Sequence, residues 1–263
     1  MPKVLVFDLN ETLFEAKMAP GAESELSASV SVSNSAAGVI EQPKINGDIR
    51  AHKVSAIARP EMKALFERIH RVHQVASAGG YPSPIAVKLI AAGEYDEKSV
   101  KELLGKLYGP HFSELPVQLL NISDRDTDHP SNTIYDERKA ALMEKNFETW
   151  KKAMPAGLQR SDVFLIDNGD YNIRGAKKMG FSYLHYPTTP GYRDSTQTFS
   201  NSKQLIFSSL NHMVDGATQE LQKALELKRS SDNLHRACFN LFRVCSSLET
   251  SVSVIQKTRR TLS

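Results

Sequence analysis

Two kinds of apolar pattern run along this chain. Short unbroken runs bounded by turn-forming residues alternate with longer stretches in which apolar residues recur every three or four positions. The first kind reads as strands buried on both faces of a parallel sheet, the second as the helices that cover them. Residues 3–7 form such a run and end in Asp8-Leu9-Asn10-Glu11-Thr12, and residues 163–166 form another that ends in Asp167-Asn168-Gly169. Each predicts a strand that hands a carboxylate to the turn at its tip. Pro60 opens a helix whose stripe is Met62, Leu65, Phe66, Ile69 and Val72. A strand is expected over 74–80, helices over 85–92 and 97–107, and a strand over 117–123. A helix over 135–154 is closed by Pro155-Ala156-Gly157, with Phe147 and Trp150 as core residues. A further helix over 173–179 stops at Gly180, before a last short strand over 181–186. The expected fold is α/β, a Rossmann-like parallel sheet with helices on both faces.

Two stretches depart from this alternation. Residues 15–51 are rich in Ser, Ala and Gly and lack a helical period, which suits a flap or a disordered insertion. Beyond residue 202, Ile206, Leu210, Met213, Ala217, Leu221 and Ala224 make one stripe, and Leu234, Cys238, Leu241, Cys245, Leu248, Val252 and Ile255 make another. Ser230-Ser231-Asp232-Asn233 offers a turn and an N-cap between them, so a C-terminal helical hairpin is expected over 202–263, appended to an α/β core over 1–195. The simplest packing lays the hairpin back on the core; its seam also offers a surface for a protein partner or for self-association.

Composition narrows the classes only a little. An apolar fraction of 40% with 24% charged residues is ordinary for a globular protein, and no apolar run reaches the length of a membrane span. A strand starting at residue 3 leaves no room for a leader, so a cytoplasmic location is expected. The net charge of +3 gathers in the tail, where residues 203–263 carry nine Lys/Arg against five Asp/Glu. Charges scattered like this on helices form a solvated face, and no nucleic-acid partner is expected. Cys238 and Cys245 share a helical face, but their Cα atoms lie about 10 Å apart, too far for a disulfide; they read as small core residues.

The chemistry lies with the two acidic strand tips. In open α/β sheets ligands bind in the crevice outside the carboxyl ends of the strands. If the strands ending in Asp8 and Asp167 are both central, the carboxylates meet and can share a cation. Lys139, at the start of the helix before the second strand, can reach the same place. Other groupings are weaker. His70 and His73 share a helix without an acidic base at zincin spacing, and read as surface residues; Asp124, Asp126 and Asp128 lack the glycine and distal glutamate of a calcium loop.

These residues resemble the haloacid dehalogenase-like (HAD) hydrolase superfamily. Phe7-Asp8-Leu9-Asn10-Glu11-Thr12-Leu13 is similar to its first motif and Ser77, followed by Ala78 and Gly79, to its second. Lys139, or else Lys145, is similar to the third, and Ile166-Asp167-Asn168-Gly169-Asp170-Tyr171-Asn172-Ile173 with Ala176-Lys177 and Gly180 to the fourth. The helix after Arg59-Pro60 also looks like the phosphatase branch that acts on protein C-terminal domains. The resemblance covers residues 1–13 and 58–190 and implies a HAD-like core with a flap-like insertion at 15–51. It further implies a phosphohydrolase that works through an aspartyl-phosphate on Asp8, with Asn10 and Lys139 as the other catalytic positions. Asp8, Asn10 (through its carbonyl), Asp167 and Asn168 would hold Mg²⁺. Thr12, Ser77, Ala78, Gly79 and Lys139 would bind the phosphoryl group of a phosphorylated small molecule or phosphoprotein.

Two departures bear on that expectation. Family phosphatases carry an acid where Asn10 stands, and general acid–base help is worth about 10²–10⁴-fold. The fourth motif has Asn168 where a paired acid is common, unless Asp170 turns inward to replace it, and fewer anionic ligands weaken Mg²⁺ binding. Two other readings therefore stand beside the phosphohydrolase. One is a non-catalytic domain that binds a phosphorylated ligand or a protein. The other is a metal-independent enzyme like the 2-haloacid dehalogenases, in which halide departure needs no acid, although residues 15–51 do not suit the large helical cap that those enzymes carry between the first two motifs.

Overall fold

Strand β1 (Lys3–Asp8) sets the plan of the molecule, because its alternating side chains face two different helical layers. Its neighbours follow in chain order as β2 (Phe14–Ala16), β3 (Ser27–Val32), β4 (His52–Ala58), α1 (Pro60–Gly79), β5 (Ile85–Ala92), α2 (Glu97–Tyr108), α3 (Pro110–Ser113) and β6 (Gln118–Ile122). Then come α4 (Arg138–Ala153), a 3₁₀ turn (Arg160–Asp162), β7 (Val163–Asp167), α5 (Asp170–Lys178), β8 (Ser182–His185) and α6 (Thr196–Thr261). The structure is a computed structural model that describes residues 2–9, 11–16, 27–32, 52–92, 95, 97–122, 137–154, 157–186 and 196–261; the side chains of 15–16, 27–32, 52–55, 57, 92, 196–201 and 241–261 are not among those described.

Five strands form an all-parallel sheet in the order β6-β5-β1-β7-β8, with β1 at its centre between β5 and β7. This is the α/β, Rossmann-like architecture that the alternation of runs and periods predicts. Val4 and Val6 of β1, Val163 and Leu165 of β7, and Ile90 and Leu120 pack against Met143, Phe147 and Trp150 of α4 and Ala176 of α5. Phe7 points the other way and meets Phe66 of α1 at 5.7 Å, in an aromatic cluster continued by Tyr108 and Phe112. Asp8 is in phase with Val4 and Val6, so the strand's period of two aims it at the α4 layer.

A second sheet, antiparallel and ordered β2-β4-β3, occupies part of the expected insertion. Residues 17–26 and 33–51 lie outside the described residues. The base of this sheet is tied down by Tyr108, whose hydroxyl donates to the Leu13 carbonyl and accepts from the Arg59 N–H at 3.3 Å.

Two expected elements exchange character. Residues 74–80 are not a strand: α1 continues to Gly79, because Ala76 extends its buried stripe at helical spacing, and Gly80 closes it in the left-handed conformation at φ 70°. Residues 85–92 are not a helix but the strand β5. A central strand buried on both faces reads as a continuous apolar run, which periodicity alone does not distinguish from a buried helix.

The expected hairpin is corrected as well. Helical backbone runs through residues 230–233 within α6. Ser, Asp and Asn cost only about 0.5 kcal/mol each in a helix interior, and no Gly or Pro follows Gly216 to break the helix. The chain divides into a unit of Met1–Gln219 and one of Glu220–Ser263. In the first, Ile206, Phe207, Leu210, Val214 and Ala217 of α6 are buried, and Arg68 of α1 bonds Asn211 and Asp215. In the second, Cys238 is exposed and not a core residue. Among the described residues no helix is long and apolar enough to cross a membrane.

Candidate active site

The C-terminal edge of the parallel sheet carries the site. Asp8 and Asp167 end the adjacent strands β1 and β7 and both are buried, Asp167 completely. Lys139 enters from the first turn of α4; it heads the same helical face as Met143, Phe147 and Trp150, so packing of that stripe delivers its ammonium to the strand tips. Its Nζ donates to Asp8 Oδ1 and, at 2.6 Å, to Asp167 Oδ2. Lys145 lies on the exposed side of α4 and does not take part.

Asp167 has further donors around it. The Gly169 N–H donates to its Oδ1 at 2.7 Å, and Asn172 Nδ2 lies 3.0 and 3.1 Å from the two carboxylate oxygens. A Cβ on Gly169 would come within 3.2 Å of Asp167 Oδ1 and 3.1 Å of Asn172 Nδ2, so glycine there permits the close approach. Burial pushes the Asp8 carboxyl up to about 6, opposed by Lys139 and reinforced by Asp167. Burial works against the Lys139 ammonium too, but the two carboxylates outweigh it and hold its pKa above the usual lysine value. The result is one firmly protonated lysine shared by two buried acids.

The turn after β1 supplies a second layer. Thr12 is fully buried, and its Oγ1 has no hydrogen-bond partner among the described residues. Glu11 sits in the left-handed region at φ 60°, an uncommon conformation for a side chain of this kind, and its carbonyl accepts from Arg59 Nη2 at 2.7 Å. The Arg59 guanidinium lies 4.9 Å from the centre of the Tyr186 ring, and Lys203 Nζ lies 5.8 Å from the same ring. Tyr186 in turn donates its N–H to the Asp167 carbonyl at 2.7 Å. Arg59 and Lys203 thus share one aromatic ring, whose own backbone is bonded to the Asp167 carbonyl.

Not every expected residue is here. Asn10 lies outside the described residues. Ser77, Ala78 and Gly79 form the last turn of α1, where Ser77 and Ala78 are exposed; α1 leads into the start of β5, which pairs with Lys3, so they stand at the opposite edge of the sheet. The strand tip that flanks Asp8 on that side is Ala91-Ala92, which brings no hydroxyl. Asn168 is in the turn after β7, its carbonyl oxygen 3.0 Å from His185 Nε2. Asp170 does not turn inward: its side chain is exposed and lies 3.4 Å from His185. His70 is not a surface residue but buried, with Nε2 2.7 Å from Glu114 Oε2. The acidic run at 124–128 lies outside the described residues. Sequence reasoning missed Tyr186 and Lys203, and it quoted Asn172 and Arg59 only within motifs, with no role at the site. Only Asn172 left a signal, as a polar residue in phase with Ile173 and Ala176 on the buried side of α5.

The donors at the strand tips bear on the expected Mg²⁺. Hard cations take several carboxylate or carbonyl oxygens, and Mg²⁺ demands near-octahedral placement. Of the expected ligands, Asp8 and Asp167 are each bonded to Lys139, and Asp167 also receives Gly169 and Asn172. Among the described residues no group of three or more His, Cys, Asp or Glu is placed to hold a metal ion. Asn10, another expected ligand, lies outside the described residues, so the described donors to a cation here are Asp8, Asp167 and Asn168.

Fold and site together define a Rossmann-like α/β protein with a carboxylate–lysine–carboxylate centre at the tips of two adjacent strands. No family model matches this chain, and no curated protein matches it. Among solved structures it is similar to a crystal structure of a dehalogenase with an intermediate complex, at 14% identity over 52% of this chain and 48% of that one, with a TM-score of 0.29. The chain spans about half the length of that protein, and a likeness at this level says nothing of chemistry.

Proposed function

We propose that this chain is a hydrolase of the haloacid dehalogenase-like class that acts by covalent attack of Asp8, with Lys139 as its compensating cation and no resident metal. The observation that carries the reading is the placement of one buried ammonium on both Asp8 and Asp167. A carboxylate in a dry site is a strong nucleophile once ionised, and Lys139 favours that ionised form. With two acids against one lysine, the centre suits an electrophile that is not a dianion. The reaction we assign is displacement at carbon. An Asp8 oxygen bonds to the carbon, and the leaving group departs with the bonding electron pair as an anion such as halide. Water then cleaves the aspartyl ester at its carbonyl, giving the alcohol, the free Asp8 carboxylate and one proton. No general acid is required, which accords with an amide at position 10.

The aspartyl-phosphate course uses the same nucleophile but needs more positive charge at the reacting phosphorus. The two are separated by one set of assays on the full chain. Halide release from short 2-haloalkanoic acids and hydrolysis of an aryl phosphate are followed with Mg²⁺ and with EDTA, for the wild type and Asp8→Asn. Expected are halide release indifferent to EDTA, its loss in Asp8→Asn, and a trapped ester on Asp8 by peptide mass spectrometry. Mg²⁺-dependent phosphate release would replace this chemistry with the phosphohydrolase. No turnover and no adduct with either substrate would leave a non-catalytic binding domain.

A further inference from the structure

The C-terminal unit, Glu220–Ser263, holds a single stretch of helix among its described residues, and that helix exposes large apolar side chains. Leu227 is 72% and Leu234 67% exposed, with Cys238 exposed beside them. Seven-residue steps from Leu227 reach Leu234, Leu241, Leu248 and Ile255. The same steps from Ser231 reach Cys238, Cys245 and Val252. The two series interleave by four and three residues, the a/d seam of a coiled coil, and they persist over about four heptads. On the far side of the helical wheel, two residues after the leucine position, stand Arg229, Arg236, Arg243 and Lys257. The charge is therefore segregated away from the seam. An isolated helix gains most of its stability from packing of its apolar face, and this unit supplies no second element to pack on.

We propose that the seam is covered by the same segment of a second copy of this chain, running antiparallel. Two features of the register select that occupant and that direction. One half of the seam is large (Leu) and the other small (Ser, Cys, Cys, Val). A parallel pair would stack leucine on leucine and cysteine on cysteine, leaving alternate layers thin. An antiparallel pair centred between residues 239 and 240 sets Ser231 against the partner's Leu248 and Cys238 against its Leu241, so every layer joins a large residue to a small one. Of the ten positions flanking the seam only Lys228 and Glu249 carry full charge, and the antiparallel register brings each beside the other's counterpart on the second copy. Size and charge agree.

The test uses the full chain. Light scattering after size exclusion is expected to give twice the monomer mass for the wild type and the monomer mass for Leu234→Glu, with the thermal transition of the α/β unit unmoved. Direction is read with a nitroxide on Gln256→Cys in a Cys238→Ser/Cys245→Ser background. Antiparallel chains separate the two labels by about 50 Å along the axis, whereas parallel chains place them side by side. A monomeric wild type overturns the proposal, including one that instead binds anionic lipid vesicles. So does a Leu234→Glu variant that stays dimeric, or a pair of labels in close contact.

Discussion

Replacing Asp8 by Asn should make the protein more stable at neutral pH while removing its nucleophile. Burial raises the Asp8 carboxyl from its ordinary 3.8 to about 6. The folded protein therefore binds this proton more tightly than the unfolded chain does. By linkage the associated stability is fully present below pH 3.8 and is lost as pH rises through about 6. A shift of that size corresponds to about 3 kcal/mol, which ionised Asp8 takes from the stability at pH 7. Asparagine keeps the shape, carries no charge, and leaves Lys139 paired one to one with Asp167. The carboxamide also gives up the charge-assisted bond from Lys139, so a net gain of about 1–3 kcal/mol is expected at pH 7.

The assay is urea denaturation of both proteins at several values between pH 4 and pH 8. The wild-type curve should fall relative to Asp8→Asn across the interval from about 4 to about 6 and run parallel to it above. Halide release by the wild type should show an acid limb near pH 6, because only ionised Asp8 attacks. A variant less stable than wild type at pH 7, or a difference that does not shrink as pH is lowered, would refute the reasoning. Either result would mean that Lys139 more than offsets the burial of Asp8.

Lys139→Met reverses the balance: it leaves two buried acids facing each other without a cation, and a loss of about 3–5 kcal/mol is expected by the same denaturation. In that variant the acid limb should move upward, since the main influence lowering the Asp8 pKa has gone. Tyr108→Phe removes the hydroxyl that joins the Arg59 N–H to the Leu13 carbonyl, leaving both backbone groups with one partner fewer; about 1–3 kcal/mol should be lost, read as a fall in Tm.

The parts of the site legible in the sequence are those that sit on central strands. β1 and β7 announce themselves because an apolar run ends abruptly in an acid, and their pairing follows from both being buried. Lys139 was legible for a similar reason, as the polar head of an apolar helical stripe. Reading residues 74–80 as a strand sets Ser77 at a strand tip, but the structure continues α1 through them and makes residues 85–92 the strand β5. The strand tip next to Asp8 in β5, Ala91-Ala92, has no feature that would draw attention. Arg59, Tyr186 and Lys203 come together from three distant segments around one ring, and contacts of that kind leave no local pattern. The helix through 230–233 shows a different limit: capping residues permit a turn, but only a breaker enforces one.

The amide beside the centre explains why its charge, more than its fold, selects the chemistry. Two carboxylates and one ammonium leave Asp8, Asp167 and Lys139 one negative charge in excess, and Asn172 adds a dipole without changing that sum. A unit charge brought to about 4 Å from another of the same sign costs about 4 kcal/mol at an effective dielectric of 20, and a phosphoryl dianion would meet that cost twice. Arg59 and Lys203 offset part of it, but they stand around Tyr186 and not on the carboxylate oxygens. A carbon electrophile carries less of that cost: a neutral haloalkane meets none of it, and the monoanion of a 2-haloalkanoic acid meets it once. As it reacts, the charge of Asp8 leaves with the departing group, and Lys139 is then matched by Asp167 alone. Substitution of Asn172 by Asp should therefore hinder the reaction rather than restore a metal site, unless the added carboxylate displaces Lys139 from Asp167; slower halide release that Mg²⁺ does not rescue is the expected outcome, and Mg²⁺-dependent phosphate release from this variant would show that the lysine gives way.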